Sequence, residues 1–174
     1  EVKHAYYLDG KKMTGVTTIL GVLAKPFLIQ WAANQAVESV DKQIWETQLL
    51  PYEYVDGNAR IILTDEKLRE ILEKARTAHA KKRDKAADIG SQAHKWCEQW
   101  IKASMSQSER PSPVEPILPM AENFLKWVKN ANPLFLASEK VVYSKEKFYA
   151  GTLDFVAEID GKTYLGDIKT GSGI

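Results

Sequence analysis

The chain has 174 residues, 44% of them hydrophobic, with 24 lysines and arginines against 23 acidic residues. That content suits a globular protein with a real core and excludes disorder throughout, while the balanced charge leaves nucleic-acid contact to a local patch. A single cysteine, Cys97, excludes an intrachain disulfide and any iron-sulfur or multi-thiolate zinc site built by this chain alone.

In chain order, "AYYLDGKKMTGVTTI" from Ala5 to Ile19 predicts a short hairpin turning at Asp9-Gly10. A helix should follow, capped by Thr17 or Thr18, with Ile19, Leu20 and Leu23 on its apolar face and Pro26 as a break or a new start. "FLIQWAANQAVESV" predicts a helix burying Phe27, Trp31, Ala32 and Ala36. Residues 58–62 carry no clear signal. From Thr64, a capping threonine and first-turn acids begin a helix with Leu68, Ile71, Leu72 and Ala75 on one face.

A second helical pattern covers about 84–102, interrupted by Gly90. Ala86, Ile89, Ala93, Trp96, Cys97 and Trp100 make its core stripe. Beside it lie Ala87, Gly90, Ser91, His94 and Glu98, whose small members would let another backbone or a ligand approach. His94 and Glu98 point the same way, and a satisfied histidine at the core edge, or one paired with Glu98, is the plainer reading of His94. "SMSQSERPSPVEPILP" is a Ser/Pro-rich connector, expected to be mobile. A helix resumes near Met120 with Phe124, Trp127 and Val128 inward, and "PLFLASEKVVYS" predicts a strand.

The segment "GTLDFVAEIDGKTYLGDIKTG", Gly151 to Gly171, carries the chemistry. Asp160-Gly161 signals a two-residue type I′ loop. Ile159 then faces Lys162, and the same register sets Asp154 opposite Asp167, where like charges with Cβ atoms about 4.5–5.5 Å apart repel. Lys169 shares a face with Asp167, while Ile168 points the other way. A divalent cation between the carboxylates resolves the repulsion, since Mg²⁺ is typically held by one or two carboxylates plus waters and phosphate. An exposed face with solvated acids, or acids paired with Lys169, explains the same residues without a metal.

Together, "GSQAHKWCEQ" and "YAGTLDFVAEIDGKTYLGDIKTG" resemble the PD-(D/E)XK nuclease superfamily, in its RecB-like, phage-type exonuclease branch. The matching motifs are Gly-x-x-x-His at Gly90 to His94, Gly-x-x-Asp at Gly151 to Asp154, and Asp-x-Lys-Thr at Asp167 to Thr170. The likeness covers 89–171 well and extends weakly to "GVTTIL". It implies an α/β fold with a restriction-endonuclease-like core, a helical N-terminal half over 1–80, and a small, mainly antiparallel sheet bearing the catalytic motifs within 81–174. A single domain is expected, with its C-terminal part missing, because the branch's Gln-x-x-x-Tyr helix has no counterpart here.

The resemblance further implies that His94, Asp154, Asp167 and the carbonyl of Ile168 ligate Mg²⁺ or Mn²⁺, and that Lys169 positions or activates the attacking water. Glu139 occupies a position where such nucleases often carry glutamate, and Glu98 is a further candidate. Lys81, Lys82 and Arg83, with Thr17, Ser91 and Thr170, are candidate nucleic-acid contacts, although a solvated helix surface and helix capping explain several of them equally well. The implied function is a metal-dependent DNA exonuclease acting on single strands or DNA ends in phage or bacterial recombination, replication or repair, with a recombination or replication protein as partner. Alternatives are an inactive DNA-binding or assembly module, an endonuclease or junction resolvase, and a structural domain. With no apolar run of about eighteen residues and no signal-peptide pattern, a soluble, cytoplasmic protein with no membrane partner is expected.

Overall fold

The computed structural model describes residues 5–21, 23, 25–46 and 52–170. It is a mixed α/β chain in which two compact units are distinguishable, one formed by residues 1–23 and 87–174 and the other by 24–86.

The first unit is built on a mixed sheet. Strand β1 (Tyr6–Leu8) turns at Asp9-Gly10 into β2 (Lys11–Gly15), and both turn residues have positive φ. That hairpin matches the sequence pattern. Helix α1 (Val16–Leu20) follows at once, with Gly15 as its N-cap and no side-chain cap. Thr17 therefore lies inside the helix, where its carbonyl accepts the Gly21 N–H. Neither Thr17 nor Thr18 caps it, because the chain turns helical one or two residues before they could.

Strands β5 (Leu134–Ser144), β6 (Tyr149–Ile159) and β7 (Lys162–Gly166) complete the sheet. β5 runs antiparallel along β6, with a bulge between Phe135 and Ala137. β7 pairs antiparallel with β6 from Ile159↔Lys162 to Phe155↔Gly166, the register that the Asp160-Gly161 turn predicts. β2 joins β6 in parallel at Tyr149 and Ala150. The sheet is thus mainly antiparallel, with one parallel pairing.

Against this sheet pack helix α4 (Leu118–Ala131) and the C-terminal part of α3 (Asp65–Met105). The stripe expected on α3 supplies Ala93, Trp96, Cys97 and Trp100 to the core, with Ile101 fully buried beside them. Ala86, expected in that stripe, is exposed. Phe124 of α4 meets Trp96 and Trp100 edge-on, at centroid distances of 6.0 and 5.5 Å. Phe135 and Phe155 form another T-shaped pair at 5.5 Å. Each such contact adds about 0.5–1.5 kcal/mol beyond the area it buries.

The connector expected to be mobile is tied to α3. Pro111 accepts the Trp96 indole N–H at 3.2 Å, the Arg110 guanidinium sits 4.7 Å above the Trp100 ring, and Ile117 is buried. Cation–π and indole contacts of this kind give a Ser/Pro-rich stretch a fixed path.

The second unit contains α2 (Phe27–Glu46), a hairpin of β3 (Tyr52–Val55) and β4 (Asn58–Ile61), and the N-terminal part of α3. The hairpin turns at Asp56-Gly57, both with positive φ. On α2, Trp31, Ala32 and Ala36 are partly buried, but Phe27 is exposed. Thr64 caps α3 as expected, its hydroxyl accepting the Lys67 N–H at 3.2 Å. Ile71 and Ala75 are buried, whereas Leu68 and Leu72 are exposed. Lys74 and Lys67 flank Glu70 and hold its carboxyl down at about 2.

The helical pattern that begins at Thr64 and the one over about 84–102, with Gly90 inside it, form one helix of 41 residues. A glycine costs about 1 kcal/mol relative to alanine in a helix interior, and the burial of Ala93, Trp96, Cys97 and Trp100 in the turns that follow outweighs that. Among the described residues, no helix is long and apolar enough to cross a membrane.

Candidate functional site

The site lies where the sheet forks. β5 occupies one edge of β6, so β2 and β7 must share the other. β2 leaves after Ala150 and β7 pairs only from Phe155 onward, so residues 151–154 face the opening between them. Gly151 sits at its β2 side, where an added Cβ would stand 3.1 Å from Val16 Cγ2 at the start of α1. Asp154 sits at its β7 side.

Asp154 is the innermost polar group of the set, its side chain 17% exposed. One carboxylate oxygen accepts the backbone N–H of Ile168, and the other lies 3.7 Å from Nδ1 of His94, whose side chain is 38% exposed. That separation is an ion-pair distance and too long for a hydrogen bond. Helix α3, strand β6 and the segment after β7 therefore meet at one carboxylate.

The expected direct pairing of Asp154 with Asp167 is not formed. The register would place them opposite each other, but the ladder stops one pair earlier, at Phe155↔Gly166. The reason is local. The Phe155 ring lies across Gly166, where a Cβ would come within 2.1 Å of it, and Ile168 turns its side chain into the core while giving its N–H to Asp154. Asp167 and Lys169 consequently face outward together, 60% and 81% exposed, with the ammonium on the carboxylate. The alternation of Asp167 and Lys169 on one side and Ile168 on the other agrees with the sequence reading.

Glu139 occupies the β5 position facing Asp154, between the pairs Ser138↔Phe155 and Lys140↔Leu153, and has φ 52°. A glutamate in the left-handed region within a strand is an uncommon conformation. Glu98 engages Lys102 one turn further along α3. Ser91 donates its hydroxyl to the Ala87 carbonyl at 2.9 Å, and Thr170 lies against Gly90.

The basic candidates belong to the unit of residues 24–86. Lys82 donates to Gln35 Oε1 at 2.6 Å and lies 3.9 Å from Glu38, and Arg83 pairs with Asp84 at 2.8 Å. Lys81 is exposed.

Two residues of the site carry more than the sequence suggested. Cys97, one turn beyond His94, is buried near Asp154; burial first, and then the aspartate charge, push its thiol up to about 11. Its position three residues after His94 on a helix was the available signal. Gly166 admits the Phe155 ring, and only the Asp160-Gly161 register could have paired them. A groove of about 490 Å³ adjoins the site, bordered by Cys97, Asn123, Trp127, Asp167, Lys169 and Thr170 among others.

The donor chemistry at Asp154, His94 and Asp167 is that of a hard divalent ion, which one or two carboxylates can hold alongside waters and phosphate. Asp154 and His94 stand together, whereas Asp167 is turned to Lys169; among the described residues no group of three His, Cys, Asp or Glu side chains is gathered. No family model, curated protein or solved structure matches the chain.

Proposed function

We propose that the chain is a metal-dependent DNA exonuclease with a PD-(D/E)XK-type core, hydrolysing phosphodiester bonds in phage or bacterial recombination, replication or repair. One observation carries this reading: His94 and Asp154, distant in sequence, stand together at the fork in the sheet, and the segment bearing Asp167 and Lys169 is tied to that aspartate through the Ile168 N–H.

Asp154, His94 and Asp167, with the Ile168 carbonyl, would hold Mg²⁺ or Mn²⁺, which when bound supplies an acidified water and neutralises charge on the phosphate. Asp154 keeps the lysine segment in place through the Ile168 N–H. Lys169, a compact cation on a flexible stem, donates hydrogen bonds to the attacking water and offsets the charge that grows on the phosphoryl oxygens. The water oxygen bonds to phosphorus as the bond to the leaving sugar oxygen breaks; the water proton passes to solvent, and the leaving oxygen takes up a proton from solvent to become a hydroxyl. Glu139, across from Asp154 on β5, is proposed as a further carboxylate of the site. Lys81, Lys82, Arg83, Thr17, Ser91 and Thr170 are proposed to contact the sugar-phosphate backbone, which favours low sequence specificity.

A second reading is favoured by the engagement of Asp167 with Lys169: a nuclease-like DNA-binding or assembly module in which the acids gather no metal. Incubation of end-labelled single- and double-stranded DNA with Mg²⁺ or Mn²⁺ separates the two. Shortening from an end that is lost with Lys169→Ala supports the exonuclease, and internal cuts would make it an endonuclease. DNA binding unaffected by Lys169→Ala, with no metal-dependent cleavage, would leave the module.

A further inference from the structure

Gly90 stands inside α3, four residues before His94 and on the same face of the helix. It is buried, and nothing in helix geometry asks for a glycine there, since alanine is the better helix former. The reason lies across the site. A Cβ built on Gly90 would stand 2.9 Å from Thr170 Oγ1 and 3.9 Å from Thr170 Cβ. Contacts under about 3 Å are repulsive for carbon and oxygen, whose favourable separation is closer to 3.5 Å. With the Thr170 hydroxyl turned to the helix, the two lie this close because position 90 has no side chain.

Thr170 closes a stretch that is fixed at two further points. Ile168 gives its N–H to Asp154 and its side chain to the core, and Asp167 and Lys169 project from either side of it. We propose that Gly90 is a positioning residue, the receiving surface of a latch in which Thr170 seats the Asp167–Thr170 segment on α3 and so fixes Asp167 and Lys169 beside the Asp154–His94 pair. The latch itself stands on the contact; its consequence for catalysis rests on the nuclease reading above.

The test is a double-mutant cycle with Gly90→Ala, Thr170→Ala and both together in the full chain. Two properties are read: the thermal midpoint, and kcat and KM for metal-dependent DNA cleavage. A latch predicts that Gly90→Ala lowers the midpoint when Thr170 is present and raises it when residue 170 is alanine, because only the second background leaves room for the methyl group and its helix propensity. It also predicts that kcat of Gly90→Ala falls about 10- to 100-fold with little change in KM, as expected of a displaced reacting group, while the double variant matches Thr170→Ala within about twofold.

If Gly90→Ala raises the midpoint in both backgrounds and its activity equals that of the unaltered chain, the latch is wrong. The same follows if the two substitutions act independently. A midpoint that reverses sign in a chain that cleaves no DNA would keep the latch and remove the nuclease reading; cleavage without the reversal would do the opposite.

Discussion

The carboxylate of Asp154 receives the backbone N–H of Ile168, so the acid at the fork also holds the segment that carries Asp167 and Lys169. Asp154→Ala leaves that N–H without its acceptor, a loss of about 1–3 kcal/mol. Asp154→Asn keeps an oxygen acceptor and should cost less, while removing the negative charge. Urea unfolding of both variants measures the difference. An Asp154→Ala variant as stable as the unaltered chain, or more so, would show the acid to be an uncompensated burden and not an anchor.

The Phe155 ring fills the space above Gly166, and a methyl group there would come within 2.1 Å of it. Gly166→Ala is therefore expected to destabilise by about 1–3 kcal/mol, the usual cost of overpacking. The thermal midpoint should fall clearly. A neutral outcome would mean that the strand pair β6–β7 tolerates a wider separation than its register implies.

Thr64 caps α3 through its hydroxyl, so Thr64→Ala should remove about 1 kcal/mol from the helix start. Thr64→Ser retains the acceptor and should recover most of it. Amide hydrogen exchange at Lys67 is the local readout, with faster exchange in the alanine variant only.

Cys97 couples stability to pH. Burial and the Asp154 charge raise its thiol from 9 to about 11 in the folded chain. The folded state therefore holds the proton more tightly than the unfolded one, and the stabilisation is fully present below pH 9. It declines as pH rises from about 9 to 11, where unfolding releases a proton. Chemical denaturation across that interval should show a fall that Cys97→Ala lacks. At pH 8 the native thiol should also react slowly with iodoacetamide, because the thiolate is the nucleophile.

How far the residues announced this arrangement depends on whether the signal was local. The Asp160-Gly161 turn fixed five consecutive strand pairs, and the spacing of Ala93, Trp96, Cys97 and Trp100 gave the core face of α3. Asp56-Gly57 carries the same turn chemistry as Asp160-Gly161, yet Tyr52–Val55 and Asn58–Ile61 mix Glu, Asn and Arg among their apolar residues and blur the alternation that marks a strand. Gly90 looked like a break because its helix penalty is visible in sequence, while the Thr170 contact that explains it is 80 positions away.

The parallel contact of β2 with β6 joins positions about 135 apart, and no periodicity predicts it. The expected Asp154–Asp167 pair failed by one residue. The hairpin register ran as far as Gly166, and the Ile168 N–H then found a carboxylate instead of a ladder partner. His94 is legible as a candidate from its motif; its approach to Asp154 required the fold of the sheet on α3.

Whether the fork holds a metal is decided by a calorimetric titration of the chain with Mn²⁺, repeated with Asp154→Asn. A saturable site is expected in the unaltered chain and should be lost, or weakened at least about tenfold, in the variant, because a carboxylate ligand becomes an amide. Equal Mn²⁺ binding by both proteins, or none by the unaltered chain, would contradict a metal site at Asp154.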